Sequence, residues 1–237
     1  PRDNVVIRLC SIECCFAHSL EECDHNSSFI DDIKEWSRIA PNLFIWDYVV
    51  NYRQYLAPFP NFQVLADNIK TFRKYNAIGI QEEAQYQSLG GEFSDMKSWV
   101  IAKLLWNPEQ DTDALTSEFI SYYYGDAAPY IQEYFGLCRR QIKPDTVMGI
   151  YIDQWNPLFT DDFIKEAAAL LDKAVESVKD QDETIRHRTD LVKLQIQYMR
   201  TMRYPEETLA DGTRKWLADF LTEHGIRVNE VTKTEDF

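Results

Sequence analysis

The sequence predicts an α/β protein that opens with βα units of a parallel sheet or barrel and continues as an all-helical bundle. Three observations predict this. Short apolar strand patterns start about every 35 residues over the first hundred, the step of a βα unit. Amphipathic helical patterns lie between them. From Trp106 onward the strand pattern stops and helical patterns succeed one another.

The first strand is expected over residues 4–10, and the first helix over 29–39, where Ile30, Ile33, Trp36 and Ile39 share a face and Ser27 or Ser28 can cap it. Pro41 ends that helix. A second strand, 43–46, ends at Asp47, and a Pro-rich loop leads to a helix over 63–74. A third strand spans 77–81, followed after Gly90-Gly91 by a helix over 93–105. The strands are apolar on both faces, as buried parallel strands are. Asn107-Pro108 then breaks the helix. Further helices are expected over 112–124, 127–142, 160–178, 184–202 and 206–224, with Thr160 as an N-cap. The stretch 143–159 reads as a long connection, and the tail from Ile226 as short, polar and extended. Residues 1–108 thus form the βα part and 109–237 the helical part, read as an antiparallel bundle. Because the chain opens in mid-pattern, it reads as a fragment. The outer edge of its first strand is then free to pair with another chain in self-association.

The 39 acidic and 25 basic residues give a net charge of −14, which disfavours nucleic acid as a partner. No apolar run has the length of a membrane span. The six Trp, 13 Tyr and 13 Phe exceed what packing needs, and aromatic rings also wall sugar-binding clefts. Cys10, Cys14, Cys15 and Cys23 crowd around His18, yet their spacing lacks the paired CxxC arms of structural zinc sites. No metal and no cofactor are expected. The cysteines read as small buried side chains, or as a disulfide from Cys14 or Cys15 to Cys23.

Three strand ends carry candidate chemistry. The first offers Glu13 and His18, the second Asp47 with Tyr48, Asn51 and Tyr52, and the third Glu82 and Glu83 with Tyr86. Glycoside hydrolysis uses one carboxylic acid on the leaving oxygen and a second carboxylate on water or the sugar. Aromatic, amide and imidazole side chains hold the rings and hydroxyls. Solvent-facing carboxylates are also common at loop starts without any such role. If Asp47 faces a cleft, strand alternation turns Trp46 towards the helices.

The runs Asn42-Leu43-Phe44-Ile45-Trp46-Asp47-Tyr48, Tyr55-Leu56-Ala57-Pro58-Phe59-Pro60-Asn61, Gly90-Gly91-Glu92-Phe93 and Ala102-Lys103-Leu104-Leu105-Trp106-Asn107-Pro108 carry a resemblance, as does Ile12-Glu13-Cys14-Cys15-Phe16 with His18. Together they resemble an uncharacterised bacterial family of large secreted proteins, a domain of unknown function associated with polysaccharide breakdown. More distantly, Ile12-Glu13, Trp46-Asp47-Tyr48 and the Trp-Asn-Pro break are similar to bacterial α-glucuronidases, although Glu then Asp stands here where those enzymes have Asp then Glu. The resemblance implies the C-terminal part of a (β/α)8 barrel followed by an all-α bundle, in a periplasmic or extracellular glycoside hydrolase acting on a complex polysaccharide. It implies Asp47 and Glu13 as base carboxylates, Glu82 and Glu83 as further candidates, and a general acid from outside this chain. Two other readings stand beside it: a non-catalytic carbohydrate-binding protein on the same scaffold, and a structural or docking domain.

Overall fold

A computed structural model of the chain describes residues 1–229. Strands β1 (Ile7–Cys10), β2 (Leu43–Tyr48) and β3 (Ala77–Glu83) form a parallel sheet in the order β1-β2-β3. Helices α1 (Ser27–Ile39) and α2 (Phe62–Lys74) make the two crossovers, and α3 (Ser94–Trp106) follows β3. Then come α4 (Thr112–Tyr123), α5 (Ala128–Arg139), α6 (Asp161–Ser177), α7 (Glu183–Arg203), α8 (Pro205–Ala210) and α9 (Thr213–Glu223).

The barrel expectation is corrected here. Among the described residues the sheet has three strands and stays open, with β1 and β3 as its edges. A barrel needs a continuous ring of strands whose tilt and stagger let the last pair with the first. The described residues after α3 supply helices, not further strands. The fold is an open three-stranded α/β sheet whose buried side chains belong to one cluster with those of the following helices. Phe62 of α2 meets Phe135 of α5 edge-on at 5.1 Å, and Phe93 lies 5.9 Å from Tyr134.

Helix α6 starts where Thr160 accepts a hydrogen bond from the Phe163 N–H at 3.1 Å. The single helix expected over 206–224 is two helices. Gly212, at φ +82°, turns the chain between α8 and α9, a left-handed conformation that glycine adopts without a Cβ penalty. Asp211 accepts from the Thr213 N–H at 2.9 Å and closes the corner.

The connection between α5 and α6 is stitched to the strand-end loops. The Phe16 N–H donates to Met148 O and the Tyr52 N–H to Ile150 O, each at 2.8 Å. The Asn51 amide donates to Ile152 O at 2.9 Å. Further on, Val228 O accepts from the Tyr55 N–H at 2.8 Å. The rest of the tail expected to be extended, residues 230–237, lies outside the described residues.

The Phe44 ring of β2 lies against Gly79 of β3, where there is no side chain. A Cβ there would stand 2.6 Å from Phe44 Cε2. Gly79→Ala is therefore expected to destabilise the protein by about 1–3 kcal/mol in urea unfolding. Phe44→Ala in the same background should recover part of the loss. Equal stability of Gly79→Ala and the parent would show that the Phe44 ring moves aside freely.

Candidate functional site

Alternation along the strands sorts the strand-end residues onto two faces. In register, Asp47 pairs with Glu82, Trp46 with Gln81 and Cys10, and Tyr48 with Glu83.

The inner face carries Leu43, Ile45 and Asp47. Asp47 is 2% exposed. The Ser11 hydroxyl donates to its Oδ1, and the Tyr48 N–H and Glu82 carboxyl hydrogen-bond to it. Burial pushes Asp47 up from 3.8 to about 6, against the lowering effect of these three donors. Glu82 shows part of its stem to solvent, but its Oε2 is enclosed. Burial first, and the Asp47 charge second, hold Glu82 well above the ordinary range. Two such carboxyls share one proton, with Glu82 the donor and Asp47 the acceptor. This pair faces the core and joins two strands.

The outer face is aromatic and polar. Trp46 and Tyr48 stack at 6.0 Å with 14° between their planes. Tyr52 meets Tyr48 edge-on at 5.7 Å and lies 6.5 Å from Tyr151, which is 60% exposed. Arg8 lies 4.0 Å over the Trp46 ring and donates to Gln81 Oε1. The Trp46 indole N–H donates to Glu83 Oε2. The Tyr52 hydroxyl faces Glu83 without completing a well-aligned hydrogen bond. Burial, then the neighbouring Cys10, Glu83 and Tyr151, push the Tyr48 hydroxyl up to about 12, so it remains a donor at neutral pH. A half-buried Trp46, with Tyr48 and Tyr52 buried beside it and Tyr151 exposed, thus borders a carboxylate, a guanidinium, an amide and a phenol.

The nine residues expected from the sequence are scattered across the surface and the core. Glu83, Tyr48 and Tyr52 meet on the outer face. Asp47 and Glu82 meet on the inner one. Glu13 is exposed and lines a cavity of about 360 Å3 with Cys10, Cys14, His25 and Asp32. Asp47 and Glu13 both push up the buried Cys14 thiol, after burial itself. His18 lines another cavity, of about 640 Å3, and its Nε2 is enclosed. Asn51 is 1% exposed and holds the backbone of Ile152 and Arg53. Tyr86 is 86% exposed. The cysteines are all free thiols, so the disulfide option is corrected. Among the described residues no cluster of His, Cys, Asp or Glu could hold a metal ion.

Arg8, Trp46, Gln81 and Tyr151 were not among the expected site residues. For Arg8, Trp46 and Gln81 the signal was available, because alternation from Tyr48 and Glu83 puts them on one face. Trp46 falls on the helix side only if Asp47 takes the cleft. Tyr151 carries no such signal, since it arrives from a loop about a hundred residues away.

Residues 1–136 match the profile of a domain of unknown function, DUF4838. The chain belongs to the DUF4838 family. The matched stretch of this DUF4838 protein contains the sheet, α1 to α4 and most of α5, and every outer-face residue except Tyr151. No curated protein and no solved structure matches the chain. No helix among the described residues is long and apolar enough to cross a membrane.

Proposed function

We propose that this DUF4838 protein binds carbohydrate on the outer face of its sheet, as part of a glycoside-hydrolase-like protein of the periplasm or extracellular space. The observation that carries the reading is the Trp46–Tyr48 ledge with Glu83 beside it. The apolar face of a pyranose stacks on a ring such as the half-buried Trp46, which Tyr48 backs, while its hydroxyls meet carboxylate, amide, phenol and guanidinium groups. The resemblance to enzymes of polysaccharide breakdown supplies the ligand class. Hydrolysis is the second reading, favoured by Glu83, because a carboxylate at an aromatic ledge is half of the pair that hydrolysis employs. On that reading Glu83 is the base, and the inward-facing Asp47 is not.

Calorimetric titration with neutral and uronic-acid-containing oligosaccharides tests both readings. Trp46→Ala is expected to weaken binding about tenfold while the circular dichroism spectrum is kept. Glu83→Gln should retain most of the binding and remove any hydrolysis. If no oligosaccharide binds the parent, or Trp46→Ala binds equally well, the outer face is not a sugar site.

A further inference from the structure

We infer that the helical half carries a second saccharide site, separate from the sheet face, in the cavity between α6, α7 and the α8–α9 corner. The cavity holds about 290 Å3. That is near the lower limit of small-molecule pockets, roughly 300–1,000 Å3, and suits one sugar residue. The Trp216 indole of α9 forms an apolar wall. Gln197 of α7, only 3% exposed, contributes an amide, and Thr213 a hydroxyl. At Gly212 the wall is open, because a Cβ there would meet nothing within 4 Å.

The charges on the lining select the ligand. Lys193 and Asp172 pair at 2.8 Å, and Arg200 pairs with Asp211 at 2.8 Å and with Glu207 at 2.9 Å. Arg200 also donates to Gln197 Oε1 at 3.1 Å. Each cation already has its carboxylate, so the cavity offers no spare charge to an anion. Each lining carboxylate has its cation, so a metal ion or an amine gains little. An apolar ligand would strand these polar groups. What remains is a neutral polyol with one apolar face. A hydroxyl both donates and accepts, so it adds to the free lone pairs of a fixed ion pair without breaking it. The pairs in turn hold their side chains in place before the ligand arrives, which lowers the ordering cost of binding. Lys193 Nζ stands 5.7 Å from the Trp216 ring centroid, so the stacking wall and the polar rim are fixed together. No residue of this site belongs to the sheet face, and the inference does not depend on that reading.

The test is a titration of the full chain followed through indole N–H resonances, with methyl glycosides of glucose, galactose, mannose, xylose and N-acetylglucosamine. The Trp216 signal is identified by its loss in Trp216→Phe. At least one glycoside is expected to shift that signal saturably, with an affinity that molar sodium chloride changes by no more than about twofold. Thr213→Val should weaken it several-fold and Trp216→Ala, followed by calorimetry, about tenfold. Trp46→Ala should leave it unchanged. If Trp216→Ala does not fold, Thr213→Val carries the comparison. The inference is overturned if no glycoside gives a saturable shift at Trp216, if Thr213→Val binds as the parent does, or if inorganic phosphate is the probe that saturates the signal.

Discussion

Lys97→Ala is expected to destabilise the protein by about 3–5 kcal/mol, the cost of leaving a buried carboxylate without its partner. Lys97 and Glu92 are each 3% exposed or less, and they form an ion pair at 2.6 Å. The ammonium also donates to Val49 O at 2.9 Å, just beyond β2, and its charge lies 5.2 Å from the Phe62 ring. Glu92 accepts from the Phe59 N–H. One pair therefore ties α3, the turn before it and the long loop after β2. Burial raises Glu92 and lowers Lys97, each towards its neutral form, so desolvation outweighs their attraction. The pair is thus a weak source of net stability and a strong penalty once broken. Lys97→Met with Glu92→Gln, which keeps an acceptor for the Phe59 N–H, should recover most of the loss. Urea unfolding of the parent and the two variants decides, and a loss under about 1 kcal/mol in Lys97→Ala would mean that water reaches Glu92.

The carboxyl pair on the inner face is expected to make the protein less stable as the pH rises from 5 to 8. A group whose folded pKa is raised gives stability that is present below its unfolded value and is lost as the pH passes its folded value. For Asp47 the loss begins near 4 and runs through about 6. Glu82, raised further, extends it to higher pH. A shift of this size in Asp47 corresponds to about 3 kcal/mol. Asp47→Asn keeps the shape and an acceptor for Ser11 but carries no charge. Its stability should fall much less between pH 5 and 8 than that of the parent. His187, held below 6.5 by burial and by His224, acts in the opposite sense across this window. It is common to both proteins, so the difference between them isolates the pair. Parallel stability profiles for parent and Asp47→Asn would show that Asp47 is ionised and solvated after all.

Strands, crossover helices and most later helices were legible because each follows from local periodicity. The number of strands in the sheet was not. Apolar strands spaced by about 35 residues look the same in an open sheet and in a barrel, and the resemblance tipped the reading towards closure. The candidate site failed at a finer level. Asp47 sits at a strand end, where a catalytic carboxylate would sit, and position alone does not say which face it occupies. Alternation then carried the error to Trp46, while Glu83 and Tyr48 were named for their location and proved to share a face. The split between α8 and α9 was missed because a lone glycine is tolerated within many helices, and only φ +82° at Gly212 shows that this one bends the chain. Nor could the bonds from residues 148–152 to the strand-end loops be read, since a backbone hydrogen bond leaves no mark on residue type.

Those stitches set an order of events during synthesis. The family-matched stretch leaves the ribosome first, with the N–H groups of Phe16, Tyr52 and Tyr55 still awaiting carbonyls that belong to Met148, Ile150 and Val228. At about 5–20 residues per second, Tyr55 waits several seconds or longer for Val228. Until then the strand-end loops lack these backbone partners, while the β1 and β3 edges are open before and after. Docking of these later segments onto the strand-end loops is thus a late, long-range step, the kind that slows folding most.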